Sequence, residues 1–216
     1  MKDMINNRLF HAVLLFTIIG EFLLPWILKH YYNRYNSKTM VMSALGSPQS
    51  PVQLIYNTWL IWLGCFLMFT SIIYFLTTRT EFPIISLLLL LSIGIFAVGA
   101  GLISGIYSVN ADKDIVTAAS KIHGAGAAIG FMALLFFPLL NGILAFKQSN
   151  TIFGVVCSFS FVLAFIFFTF FIMGDKESFK NTILAYEGLW ERISLFCMYI
   201  PIIFKAVCVL FSKMDN

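Results

Sequence analysis

Charge is what this chain has least of: Asp, Glu, Lys and Arg make up 11% of its 216 residues. Soluble domains carry about 25%. So little charge cannot cover a water-facing surface, which excludes an ordinary soluble domain. Histidine is nearly absent. His11, His30 and His123 are the only three. His11 opens the first apolar run on the membrane side opposite His123, which argues against a zinc hydrolase built on three histidines. A haem carrier fails for a similar reason, since His123 has no second axial partner at a shared depth. The four cysteines, Cys65, Cys157, Cys197 and Cys208, form no Cys-x-x-Cys pair and all fall inside apolar runs, so they read as packing thiols. No metal or cofactor is expected. The chain also lacks Asn-x-Ser/Thr sequons, internal repeats, low-complexity tracts and basic runs, and the last of these absences excludes nucleic acid as a partner.

Apolar length is what it has in abundance. Hydrophobic residues make up 60% of the chain and 24 residues are Phe. Residues 9–28, 54–77, 83–107, 122–146, 151–173 and 193–212 are mostly apolar runs. A helix rises about 1.5 Å per residue and a bilayer core is about 30 Å thick, so about 20 apolar residues cross it. A membrane β-barrel would need strict alternation in short strands, which stretches such as Ile84 to Leu91 do not show. The expected fold is therefore all-α: a polytopic transmembrane bundle of six helices forming one domain over residues 1–216, since no loop is long enough to bury a core of its own. Lys2 and Arg8 ahead of the first run resemble a secretory signal. That run carries Glu21 and Pro25, however, and meets Lys29-His30-Tyr31-Tyr32 in place of a small-residue cleavage site, so it reads as a retained anchor.

Six spans put both termini on one face with the short connections 78–82 and 147–150, the short-loop side. The connections 29–53, 108–121 and 174–192 make the long-loop side. Basic residues are denser on the short-loop side, at Lys2, Arg8, Arg79, Lys147 and Lys213, but more numerous in total on the other. Density places the termini in the cytoplasm and the chain in the plasma membrane as a multi-pass protein; raw number argues the reverse.

Nearly every unusual polar residue gathers on the long-loop side. The first loop ends in Ser43-Ala-Leu-Gly46-Ser47-Pro48-Gln-Ser50-Pro51, and Asn57 opens the second span. The third span leaves through Gly99-Ala-Gly101 to Gly105 and Tyr107, the fourth enters through His123-Gly124-Ala-Gly126, and Glu187-Gly188-Leu-Trp190-Glu191-Arg192 precedes the sixth. Parity brings Ser43, Ser47, Asn57, Tyr107, His123, Glu191 and Arg192 to one membrane surface as a ligand-binding set. Each also has a plainer reading. Tyr107, Tyr186 and Trp190 fit aromatic-belt anchors, and the glycines fit helix packing. Arg192 fits a side chain snorkelling to headgroups beside a solvated Glu191, and residues 43–51 fit a simple turn.

Two charges lie deeper, where insertion costs at least about 2.5–3.5 kcal/mol near the bilayer centre. Glu21 is expected about 12 Å below the long-loop surface and Lys205 about 18–20 Å below it, at 1.5 Å per residue. They either pair across the first and sixth spans or line one polar cavity open to the long-loop side. The alternative is that Lys205 snorkels the other way, toward Lys213, over a protonated Glu21.

Together, Ser43-x-x-Gly46 with Pro48, Pro51 and Tyr56-Asn57, the Gly99 to Gly105 exit, His123-x-x-Gly126-Ala127 with Gly130-Phe131, and Gly188-Leu-x-Glu191-Arg192-Ile193 resemble the domain of unknown function 998 family. These are six-span membrane proteins of bacteria and archaea. The resemblance covers almost the whole chain and implies the architecture, while the family's name assigns no activity. More distantly, a Ser- and Pro-containing first loop followed by a histidine opening the fourth span is similar to the FRAG and DRAM families, which implies a lipid-related role. The leading expectation is a protein that binds or moves a membrane lipid or other small amphiphile in a polar pocket on the long-loop side. Arg192 would contact phosphate, His123 and Asn57 would hydrogen-bond, and Glu21 would lie beneath. An intramembrane enzyme would use His123 and Glu191 as acid and base with Ser43 or Ser47 as nucleophile. A proton-coupled small-solute transporter would relay through Glu21, Lys205 and His123, although neither paired repeats nor broken helices are visible. A purely structural partner role leaves no signature.

Overall fold

A computed structural model describes residues 7–110 and 115–212; Lys2 and Lys213 of the sidedness argument lie outside them. Six helices are long and apolar enough to cross a membrane: α1 (Arg8–Tyr31), α2 (Gln53–Thr78), α3 (Pro83–Ile106), α4 (Ala118–Lys147), α5 (Thr151–Gly174) and α6 (Glu187–Phe211). No strand occurs among the described residues. Local chemistry sets several starts. The Asn7 side chain accepts from Phe10 N at 3.1 Å, Thr117 and Ser120 form a reciprocal capping box ahead of α4, and Asn150 caps α5 through Phe153 N. Pro83 occupies the first turn of α3, where a missing N–H costs nothing.

Leu14 and Ile18 of α1, Leu63 and Leu67 of α2, Ile93 and Phe96 of α3, and Leu195, Met198 and Tyr199 of α6 fill the core. Large apolar side chains such as Leu54, Ile84, Ile152 and Phe159 face outward. A belt of that size around a bundle is a surface for acyl chains. The chain is a multi-pass membrane protein.

Two helices depart from regularity, contrary to the reading that none is broken. Ala97–Ile103 of α3 is a π-helix, wedged between α2 and α4. A Cβ on Gly99 would lie 2.2 Å from Gly126 O, and one on Gly101 would lie 2.5 Å from Gly64 Cα. Only glycine permits that approach. The second departure is in α4, which breaks at Phe136 because Pro138 can offer no N–H to the helical ladder. Its second half packs along α5, whereas its first half barely touches that helix.

Helix starts also move site residues. α6 begins at Glu187 and not at 193, so Glu191 and Arg192 are helical. α4 begins at Ala118 and not at 122, which puts His123 in its second turn.

Candidate functional site: a cleft beneath a clamped loop

The first long loop is built into the protein. Met42, Ala44, Leu45 and Ser47 are buried, with a 3-10 turn over Met42–Gly46. The start of α6 holds it there. Arg192 Nη1 donates to Ser37 O at 2.8 Å, to Met40 O at 3.4 Å and to Gly188 O, while Nη2 donates to the Tyr35 hydroxyl. Glu191 Oε2 accepts from Met42 N at 2.7 Å and Leu189 N donates to Lys38 O at 3.0 Å. A Cβ on Gly188 would sit 2.0 Å from Met40 O, so this glycine exists to let the loop backbone lie on the helix. The Gly188-Leu-x-Glu191-Arg192 motif is a docking face for residues 35–42. Arg192 therefore faces protein carbonyls in place of lipid headgroups. Burial pushes the Tyr35 hydroxyl up to about 12, against the pull of the Arg192 guanidinium. The phenol therefore stays protonated, donating to Val41 O at 3.3 Å.

Other expected ligand residues are spent nearby. Asn57 Nδ2 donates to Gly46 O at 3.3 Å and to Ser108 Oγ at 3.1 Å. Ser47 is fully buried, and its hydroxyl has no hydrogen-bond partner among the described residues. Tyr107 leaves its side chain exposed and uses its carbonyl, which accepts from His123 Nδ1 at 2.7 Å. Trp190 is no belt anchor: it is buried, stacks on Phe167 and donates to Ile183 O at 3.2 Å.

Where the first half of α4 diverges from α5, a cleft of about 420 Å³ opens under the clamped loop. Ser43, His123, Asp175, Lys176 and Glu187 supply its polar groups, and Phe131, Met132, Phe168, Phe171 and Ile172 its apolar walls. The polarity follows depth. At 1.5 Å per residue His123 lies about 8 Å and Met132 about 20 Å along α4 from its start. With Nδ1 committed as donor to Tyr107 O, a neutral His123 ring carries its acceptor lone pair on Nε2. Gly124 lines the cleft and a Cβ there would meet nothing within 4 Å, whereas one on Gly126 would meet Ile103 at 2.9 Å. Neighbours in the motif thus do different work.

Beneath lies a chamber of about 30 Å³, sharing Ser43, His123, Ala127 and Phe131 with the cleft and reaching Glu21, Tyr56 and Ser104. It has room for one or two waters. Glu21 is buried and accepts from Trp59 Nε1 at 3.0 Å. The expected meeting of Glu21 with Lys205 does not occur. Lys205 Nζ lies over the Tyr74 ring, 4.4 Å from its centre, in a cavity toward the short-loop end with Thr78 and Gln148. The true start of α6 explains the error, since Lys205 is about 27 Å from Glu187 along the helix and only about 9 Å from Phe211. It snorkels away from the long-loop side.

Of the expected set, the structure brings Ser43 and His123 together on the cleft, with Glu21 below. Ser47, Asn57, Tyr107, Glu191 and Arg192 do not line it; Asn57, Glu191 and Arg192 fasten its roof. Sequence reasoning missed Asp175, Lys176 and Glu187 at its rim and the α5 aromatics. The signal was there in Asp175-Lys176 following an aromatic-rich span directly.

No curated protein and no solved structure matches the chain. Residues 17–207 match the family described as protein of unknown function (DUF998), a stretch running from α1 to near the end of α6. By that match, the chain belongs to the DUF998 family.

Proposed function

We propose that this protein binds a membrane amphiphile, with its headgroup at His123, Ser43 and the Asp175-Lys176-Glu187 rim and its chain along the α5 aromatics. The observation that carries this reading is the gradient inside one cleft, polar around His123 near the start of α4 and apolar about 13 Å deeper at Met132. A solute pocket would be polar throughout, and a packing defect would have no polar rim. The density of basic residues on the short-loop side supports a plasma-membrane protein with cytoplasmic termini.

The test is native mass spectrometry of purified wild type, His123→Ala and Gly124→Leu. Gly124→Leu fills open space from a position where a Cβ clashes with nothing, so the fold survives while the cleft is blocked. The expected result is a defined amphiphile on the wild type that is lost from Gly124→Leu and weakened in His123→Ala. Bulk lipid in equal proportions on all three would refute the reading.

A further inference from the structure

At the opposite membrane face a second polar chamber surrounds one cation. Two cavities of about 220 and 180 Å³ flank Lys205 and share Gln148 and Phe153 with it as walls. Thr77, Thr78 and Asn141 add polar groups to the larger, and Asn150 to the smaller. Among the described residues, no Asp or Glu lines either cavity and Lys205 makes no ion pair; its ammonium lies over the face of Tyr74. A ring face returns only part of what an ammonium loses on leaving water, so the charge is under-compensated. One water needs about 10–15 Å³, and the larger cavity exceeds that more than tenfold. The first turn of α5 also begins here, at Asn150 and Phe153, and its backbone dipole adds potential of the same sign.

The geometry points to an anion site at Lys205 that takes a phosphate group, carried either by a phospholipid headgroup of the short-loop leaflet or by free inorganic phosphate. The Thr77 and Thr78 hydroxyls donate to Ile73 O and Tyr74 O, so the donors left for a ligand are the Lys205 ammonium, the Gln148 amide and the second N–H of Asn141, a charge-assisted set that a tetrahedral oxyanion satisfies better than chloride. The site is separate from the cleft under the loop, and neither depends on the other.

Two arms separate the sources. In one, inorganic phosphate is titrated against chloride at equal ionic strength and thermal unfolding in detergent is followed. In the other, dioleoyl phosphatidylglycerol is added to detergent-solubilised protein and counted by native mass spectrometry, with dioleoylglycerol as the control lacking phosphate. Wild type is expected to respond in at least one arm. Stabilisation by phosphate alone identifies the free anion, and retention of phosphatidylglycerol over dioleoylglycerol identifies the lipid. Lys205→Met should lower the affinity about tenfold or more and Lys205→Arg should keep it. Gln148→Leu, at an exposed position, should weaken it several-fold without touching the cation, which covers the case in which Lys205→Met does not fold. Wild type responding in neither arm, or Lys205→Met or Gln148→Leu binding as tightly as wild type, overturns the assignment.

Discussion

Replacing Arg192 with Ala should release the first loop, and the size of the effect follows from its contacts. The guanidinium makes four hydrogen bonds, to Ser37 O, Met40 O, Gly188 O and the Tyr35 hydroxyl. Hydrogen bonds to charged groups contribute about 1.5–3 kcal/mol each. The Met40 contact is long at 3.4 Å, Gly188 belongs to the same helix, and the freed carbonyls can take water once the loop lifts. A net loss of about 3 kcal/mol is therefore the reasonable figure, equivalent to about a hundredfold rise in the open population of the loop. Trypsin reads that population directly, because Lys38 is an exposed residue within the clamped segment and Arg34 an exposed residue at its edge. Cleavage after these two positions should accelerate about a hundredfold in Arg192→Ala, while cleavage elsewhere changes little. Arg192→Lys should fall between, since an ammonium cannot reproduce the fork. Gly188→Ala should imitate Arg192→Ala without removing any charge, by driving a methyl into Met40 O. Unchanged cleavage of Arg192→Ala with loss of bound lipid would refute the clamp and restore the headgroup role.

Three further outcomes follow from the same geometry. Gly99→Ala should cost about 3 kcal/mol or more by forcing α3 from α4, whereas Gly124→Ala should stay within about 0.5 kcal/mol, and thermal melts in detergent decide it. Glu21→Gln should preserve the acceptor for Trp59 Nε1 and leave stability nearly unchanged, while Glu21→Leu should orphan the indole at about 1–3 kcal/mol, read from melts and from Trp fluorescence. Because the Tyr35 phenol rises from 10.0 to about 12 on folding, its contribution is intact below pH 10 and lost as pH climbs toward 12. Tyr35→Phe should flatten that part of the stability curve.

The six helices were legible because the length of an apolar run is itself the physical requirement for crossing a bilayer. The π turn at Ala97–Ile103 was not, because Gly99-Ala-Gly101 reads identically in either helix and its cause lies in Gly64 and Gly126 on other helices. Gly124 and Gly126 looked like one motif, yet residues two apart point about 200° away from each other on a helix. One faces a cleft and the other a neighbour. His123 was recognisable from polarity at a span boundary and Ser43 from its place in the Ser-, Gly- and Pro-containing end of the first loop. Arg192 and Glu191 were noticed and misjudged for a different reason: their partners are mostly backbone groups of residues 37–42, and backbone groups leave no trace in a sequence. Of the two readings open for Lys205, the one toward the long-loop side fails because it counts depth from Arg192, five residues inside the helix, and the side chain takes the other, toward the short-loop end.

The wide turns of α3 act as a phase shifter. A π-bulge holds one residue more than the α-helical turns it replaces, so everything after Ile103 is rotated about 100° from where an uninterrupted helix would carry it. That rotation is what turns the Tyr107 carbonyl toward His123 and the Ser104 hydroxyl back onto Gly99 O. Deleting one residue between Ala97 and Ile103 would let ordinary α-helical turns carry Tyr107 to the same azimuth, whereas straightening the bulge with every residue retained would swing the Tyr107 carbonyl about 100° away and disconnect the histidine from it. The tautomer of a ring on one helix is thus written into the turn geometry of another.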